Sequence, residues 1–381
     1  MNENLSVIAS LTEIDAADWD ACANPQGSEF NPFVSHAFLL ALELSGSASA
    51  QSGWTGQHLV LETDSGISGV VPCYLKIHSM GEYVFDHGWA DTFSRAGGRY
   101  YPKLQVSVPF TPATGPRLLA KDDASRVALA KGLLALCTKT KSSSVHVTFA
   151  AEADAKALTA PQWLARNDIQ FHWFNNSYKH FPDFLTALSS SKRKNIRKER
   201  QAVSDQGISF EHATGTNLTE EHWDSFYEFY LDTGSRKWGN PYLTRDFFTR
   251  IHETMAEHTL LILAKRKGKA IAGALNFIGS NRLFGRNWGC IENHPFLHFE
   301  TCYYQAIDFA IARGLKVVEA GAQGEHKLAR GYVPVATKSF HHLAHQGLSR
   351  AVADYLEHER AAIAENAEEL AAHAPFRHEQ D

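Results

Sequence analysis

Leu260-Leu261-Ile262-Leu263-Ala264, Ala270-Ile271-Ala272-Gly273-Ala274-Leu275 and Arg282-Leu283-Phe284, closing on Arg286-Asn287-Trp288-Gly289-Cys290, repeat a pattern used earlier in the chain. The earlier copy runs His58-Leu59-Val60-Leu61-Glu62, Gly66-Ile67-Ser68-Gly69-Val70-Val71 and Tyr83-Val84-Phe85, closing on Asp86-His87-Gly88-Trp89-Ala90-Asp91. Short apolar, β-rich runs broken by Gly, Asp, Ser and Asn predict strand, turn, strand, turn, strand in each copy. A helix and a further strand are expected after both: Ser125 to Thr138 then Ser144 to Phe149 in the first, Thr301 to Arg313 then Lys316 to Glu319 in the second, whose helix stops at Gly314. An internal duplication of this kind predicts two similar domains, with any ligand site in the cleft between them.

The 381 residues are 44% hydrophobic, enough to bury two cores. A net charge of −5 excludes a surface that grips nucleic acid all over and leaves only local basic patches for that role. The five cysteines, Cys22, Cys73, Cys137, Cys290 and Cys302, form no C-x-x-C pair, so neither a disulfide framework nor a zinc site is indicated. The first ten residues lack the basic and apolar regions of a signal peptide, and no run has the length of a membrane span. A cytoplasmic protein without a membrane span is expected.

Short helices are expected from Asp15 to Cys22 and after Ser35, a flexible loop from Ser45 to Gly56, and no regular helix among Pro102, Pro109, Pro112 and Pro116. The second domain is expected to open at Ile169-Gln170-Phe171-His172-Trp173-Phe174, giving boundaries of 1–165 for an N-terminal domain, 166–350 for a C-terminal domain and 351–381 for a closing helix and tail. The run Ser191-Lys192-Arg193-Lys194-Asn195-Ile196-Arg197-Lys198-Glu199-Arg200 predicts a helix with a thin apolar seam. Six cations against one carboxylate make it a candidate phosphate-binding face, through Lys192, Arg193, Arg197 and Lys198.

The loop after the last repeat strand, Glu319-Ala320-Gly321-Ala322-Gln323-Gly324-Glu325-His326-Lys327-Leu328-Ala329-Arg330-Gly331-Tyr332, concentrates functional groups where α/β proteins place ligand loops. Glu325 or His326 could move a proton, Lys327 and Arg286 could stabilise negative charge, and Glu319 and Tyr304 are further catalytic candidates. Gly321, Gln323, Gly324 and Arg330 are expected to bind substrate, together with Asp86, His87, Trp89 and Trp288 of the two tryptophan-bearing turns. A thiol of lowered pKa is conceivable at Cys302 if it lies at a helix N-terminus. The interrupted run His294-Pro295-Phe296-Leu297-His298-Phe299-Glu300 does not have the spacing of a helical metal site, and no metal is expected.

The strings Gly268-Lys269-Ala270-Ile271-Ala272-Gly273-Ala274-Leu275, Gly285-Arg286-Asn287-Trp288-Gly289-Cys290, His298-Phe299-Glu300-Thr301-Cys302-Tyr303-Tyr304-Gln305 and Gly321 to Gly331, with the basic helix at 193–198, resemble the FemAB-like branch of the GNAT N-acyltransferase superfamily. The resemblance implies an α/β (α+β) fold of two tandem GNAT-like domains, each a mixed, mostly antiparallel sheet flanked by helices. It implies transfer of an acyl or aminoacyl group to an amine, with no permanently bound cofactor, acyl-CoA, an acyl carrier or aminoacyl-tRNA as donor substrate, and a small-molecule or peptidoglycan-precursor amine as acceptor. The Arg/Gln-x-x-Gly-x-Gly/Ala loop with which ordinary GNAT enzymes hold coenzyme A is not evident. The alternative expectation is a non-catalytic ligand- or tRNA-binding protein on the same double fold.

Overall fold

The computed structural model describes residues 3–237, 241–321 and 324–377, which pack as two units. The first comprises Met1–Asp168 with Ala336–Glu365, the second Ile169–Val335 with Asn366–Asp381. Residues 336–350, expected in the second domain, therefore pack with the first unit, and the closing helix is divided between the two. The elements up to the first crossing are β1 (Asn4–Ile8), α1 (Ala16–Ala23), α2 (His36–Leu44), β2 (Trp54–Gly56), β3 (His58–Thr63), β4 (Gly66–Val71), β5 (Cys73–Lys76), α3 (His87–Arg95), β6 (Lys103–Val106), β7 (Leu119–Ala120), α4 (Asp123–Thr140), β8 (Ser144–Val147), α5 (Glu152–Ala157) and β9 (Leu164–Phe174). Then come α6 (Phe181–Ala187), α7 (Ser190–Ser204), β10 (Ile208–Ala213), α8 (Glu220–Lys237), α9 (Arg245–Met255), β11 (Thr259–Arg266), β12 (Lys269–Ile278), β13 (Arg282–Cys290), α10 (Leu297–Phe299), α11 (Gln305–Ala312), β14 (Val317–Glu319), β15 (Val333–Leu343) and α12 (Gln346–Ala372).

In the second unit the strands lie in the order β10-β11-β12-β13-β14-β9. The turn between β11 and β12 is Lys267-Gly268, with φ of 50° and 78°. Two consecutive positive φ values give the tight hairpin turn whose twist suits antiparallel strands, and glycine holds the second at no steric cost. Gly289 is needed for another reason. A Cβ there would lie 2.3 Å from the Phe229 carbonyl, so only glycine lets α8 press against β13. The core on the other face joins Phe171, Trp173, Phe184, Leu260, Ile307 and Tyr332.

In the first unit one sheet runs β1-β3-β4-β7 and another β15-β8-β6-β5-β2. α4 starts where the Asp122 carboxylate accepts the Ser125 N–H at 2.7 Å, and α2 where the Ser35 hydroxyl accepts the Phe38 N–H. α4 packs Leu129, Leu133 and Leu136 against Leu59, Val71 and Val145. β15 belongs here because Phe340 to Leu343 pair with β8, and α12 because Leu348, Val352 and Leu356 pack on Trp89 and Tyr100.

The repeat exists, but its register is not the one the sequence suggests. Tyr83-Val84-Phe85 is not a strand: Tyr83 has a φ of 61°, and Phe85 is exposed. Asp86 leads directly into α3, so Trp89 is helical, whereas Arg282–Cys290 is one strand and Trp288 lies within it. The two tryptophans therefore do not occupy equivalent places. What repeats is strand, helix and parallel strand: β6-α4-β8 and β13-α11-β14. Parallel neighbours need a crossover, so each helix is required by the pairing it connects. Apart from an isolated parallel bridge between Gly115 and Ala150, the other strand pairings described in both units are antiparallel.

Candidate active site

In the second unit β13 and β14 pair for three residues only, Arg282 opposite Val317, Leu283 opposite Val318 and Phe284 opposite Glu319. β14 then ends while β13 continues. On its other side β13 pairs with β12, and there the register skips Arg286: Asn276 faces Gly285, and Leu275 faces Asn287. A bulge re-aims the side chain it carries and interrupts the ladder beside it. Where the strands part lies a cavity of about 100 Å³, walled by Asn276, Arg286, Asn287, Trp288, His298 and Tyr303, with Cys302 beside them. A space that small admits reacting groups, not a whole substrate.

The wall opposite β13 is a helix that begins at α10, widens into a π-turn over Glu300–Tyr304 and continues as α11. Such wide turns are uncommon and recur at functional sites. Phe296, just before it, holds a left-handed φ of 65°. Cys302 lies inside this helix, not at its N-terminus, so the expected thiolate-stabilising position is not found. The helix is tied down by charge. Arg200 Nη2 reaches Glu300 at 3.0 Å and Asp308 at 2.7 Å, and the Gln305 amide donates to Glu300 at 2.8 Å.

The loop after β14 is stitched to the same helix. Residues Glu325–Arg330 form a 3-10 turn, and the Tyr303 hydroxyl and His326 Nε2 are hydrogen-bonded at 3.0 Å. Arg330 donates to the His326 carbonyl at 2.7 Å and to Glu199 at 2.7 and 3.2 Å, with its guanidinium 3.4 Å from the centre of the Phe299 ring. Lys327 is 4% exposed and donates to the Gly321 carbonyl at 3.1 Å. Burial pushes its ammonium down to about 8. His326 is also lowered, by burial and then by the charges of Arg330 and Lys327.

The sequence candidates thus fall into three groups. Arg286 and Trp288 line the cavity, and Gly321, Gly324, His326, Lys327 and Arg330 form the loop stitched to its helix wall, with Glu325 opening the 3-10 turn. Gln323 lies outside the described residues. Tyr304 and Glu319 face inward: Tyr304 is fully buried with its hydroxyl donating to Glu199, and Glu319, 4% exposed, accepts from Arg282 at 2.9 Å. Burial and the Glu199 carboxylate hold the Tyr304 hydroxyl well above its usual range.

α7 divides its charges. Lys194, Arg197 and Lys198 are exposed and Lys192 and Arg193 half-buried, but Arg200 points inward to Glu300 and Asp308, and Glu199 is taken by Arg330. The free cationic face is therefore narrower than the composition suggests. Arg197 borders a hollow of about 540 Å³ with Phe181, Phe210 and Gln305.

Asp86 and Trp89 belong to the buried interior of the first unit, while His87 is exposed and stacks on Phe85. Lys103 Nζ lies 2.6 Å from Asp86, Tyr100 donates to the same carboxylate at 2.7 Å, and His146 and His341 face each other at 2.7 Å. Burial works to raise the Asp86 pKa, but the Lys103 and His146 charges together with hydrogen bonds from Lys103 and Ser79 outweigh it and hold the carboxyl well below the usual range. Sequence reasoning missed Asn276, Asn287 and the part of His298 in the cavity. A conceivable signal was the odd spacing of polar residues on β12 and β13. Among the described residues no group of three or more His, Cys, Asp or Glu is arranged to hold a metal, and no helix is long and apolar enough to cross a membrane.

A profile of the FemAB-like family, described as peptidoglycan biosynthesis/recognition, matches residues 10–378. The chain belongs to the FemAB-like family. No curated protein matches it in sequence. Among solved structures it is similar to FemX, with 11% identity over 93% of this chain and 100% of that one and a TM-score of 0.57. It is also similar to L-PGS from Bacillus licheniformis, with 10% identity, 84% and 93% coverage and a TM-score of 0.51. A third is the C-terminal DUF2156 domain of a putative lysylphosphatidylglycerol synthetase from Agrobacterium fabrum, with 9% identity, 90% and 95% coverage and a TM-score of 0.55. At such identity these are likenesses of fold. The FemAB-like chain has the mixed α/β architecture, sheets flanked by helices, that the sequence resemblance implied.

Proposed function

We propose that the chain is an N-acyltransferase that moves an acyl or aminoacyl group from an activated donor to an amine. The observation that carries this reading is the parting of β13 and β14 beside the Arg286 bulge, over a cavity just large enough for a carbonyl and its attacking nitrogen. Attack on an ester or thioester places negative charge on the carbonyl oxygen, and preformed donors in a confined site stabilise that charge. The Arg286 guanidinium and the Asn287 amide supply such donors along the wall. Lys327, buried and lowered to about 8, adds positive charge on the adjoining loop. The exposed cations of α7 suit a phosphate-bearing carrier, whether coenzyme A, an acyl carrier or aminoacyl-tRNA. The family description favours a peptidoglycan precursor as the source of the amine.

The test is incubation of the purified chain with acyl-CoA, acyl-carrier protein and charged tRNA in turn, each with a panel of amines including peptidoglycan precursors, with products read by mass spectrometry. Amide formation above the uncatalysed rate with one donor class supports the reading. No transfer from any of the three sinks it. Lys327→Met is expected to lower turnover about 100-fold while leaving the melting temperature within a few degrees.

A further inference from the structure

The small cavity has a larger neighbour. A second space of about 480 Å³ runs along the same seam, between the end of β13 and the start of α10, and its walls include Thr233, Glu292, Asn293, Phe296 and Phe299. Trp288 and His298 line both spaces. Their rings meet edge to face with centroids 5.2 Å apart, and His298 also lies 5.5 Å from Tyr303. The division of residues is informative. Arg286 and Asn287, the groups suited to a carbonyl oxygen, line only the small space, whereas the larger one has the volume for the body of a substrate.

Resting on the transferase reading above, we infer that the amine acceptor occupies the larger cavity, reaches the acyl carbon past the paired Trp288 and His298 rings that border both spaces, and gives its proton to the His298 imidazole. The nitrogen lone pair forms the new C–N bond while the carbonyl π pair moves to oxygen, facing Arg286. When that pair returns, the bond from carbon to the donor's oxygen or sulfur breaks and its electrons leave with the donor. The proton lost by nitrogen passes to an imidazole ring nitrogen of His298 and from there to the leaving oxygen or sulfur, so that charge and atoms balance and His298 is restored. A histidine suits both transfers because its ordinary pKa lies near neutrality. His326 is the rival base, and it lines neither space. The other ionisable groups around His298 are Tyr303, Cys302, Arg286, Glu292, His294 and His326.

Two measurements decide it. In the first, the full chain carries histidine labelled at Cε1, its His298 resonance is assigned by the loss of that peak in His298→Gln, and glycinamide is titrated in. A saturable shift of the His298 peak is expected. In the second, transfer to glycinamide is followed with whichever donor proves productive. His298→Gln is expected to lower kcat at least 100-fold with KM for glycinamide within about twofold, and to abolish the acid limb of the pH profile. Asn293→Trp, which fills the larger space from an exposed position, is expected to raise the amine KM about tenfold and leave the donor KM unchanged. The inference is overturned if glycinamide leaves the His298 resonance unmoved, if His298→Gln keeps its rate within threefold, or if Asn293→Trp leaves the amine KM unaltered. Because the titration needs no donor, a chain that transfers nothing defeats the transferase reading, while an unmoved His298 resonance defeats this one.

Discussion

The parallel pair of the first unit and that of the second are built alike and finished differently. β6 and β8 pair over three residues, Leu104 to Val106 against Val145 to Val147, as β13 and β14 do. Beyond them the first unit fills the gap. Arg117, 1% exposed, donates from Nε to the Thr148 carbonyl at 2.9 Å and from Nη2 to the Ala113 carbonyl at 2.6 Å, and Thr148 N–H reaches Val106 at 3.1 Å. The second unit leaves the same place open, with the Arg286 bulge and the small cavity. One scaffold therefore serves as a sealed support or as an opening, and the choice depends on which side chains lie past the third residue pair.

Four expected outcomes sharpen that contrast. The largest concerns the sealed unit. Lys103→Met leaves Asp86 buried without its nearest cation, and should cost about 3–5 kcal/mol of stability by denaturant unfolding, since breaking a buried pair from one side strands a charge. A loss below about 1 kcal/mol would mean that the interior is wet. Next, Arg330→Met in the second unit removes the bonds to Glu199 and the His326 carbonyl, and should cost about 1.5–3 kcal/mol while raising amide exchange in the 325–330 turn.

The third is a pH effect. Burial, assisted by the Lys103 and Arg166 charges, lowers His146 to about 3, and burial with Arg282 and Lys327 lowers His172 to about 3. A histidine whose folded pKa lies below its unfolded value near 6.5 takes up its proton more readily in the unfolded chain, so stability is lost as pH falls from 6.5 toward 3. Between pH 7.5 and 5.5 each imidazole should contribute about 1–1.5 kcal/mol of that loss. His146→Phe should remove the first unit's share and His172→Phe the second's, read as a smaller shift in urea midpoint between the two pH values. Equal slopes in wild type and both variants would contradict the assignment. The smallest effect belongs to α7: Arg197→Ala with Lys198→Ala should change stability by less than about 0.5 kcal/mol, because both side chains are exposed, while weakening binding of polyphosphate at low salt.

The antiparallel strands around Lys267-Gly268 were legible in sequence because apolar runs ended at residues that only a tight turn accommodates. The helix cap at Ser35 was legible for the same local reason. The third strand of the first copy was misread because Tyr83-Val84-Phe85 has β-rich composition but leads into α3, and composition does not report a left-handed Tyr83. The basic helix was found, yet the inward turn of Arg200 was not, since its partners Glu300 and Asp308 lie about a hundred residues away in sequence.

The amino-acid order alone determined the hairpin around Lys267-Gly268, that a strand–helix–strand unit occurs twice, and that the loop from Gly321 to Arg330 concentrates ionisable groups, because these follow from local periodicity, turn chemistry and composition. Only the tertiary structure decided that Tyr304 and Glu319 face inward, that Arg117 fills one parallel pair while the other opens at Arg286, and that His298 borders two cavities. Those outcomes depend on burial and on partners distant in sequence, and no local pattern encodes which side chain will be shut away from water.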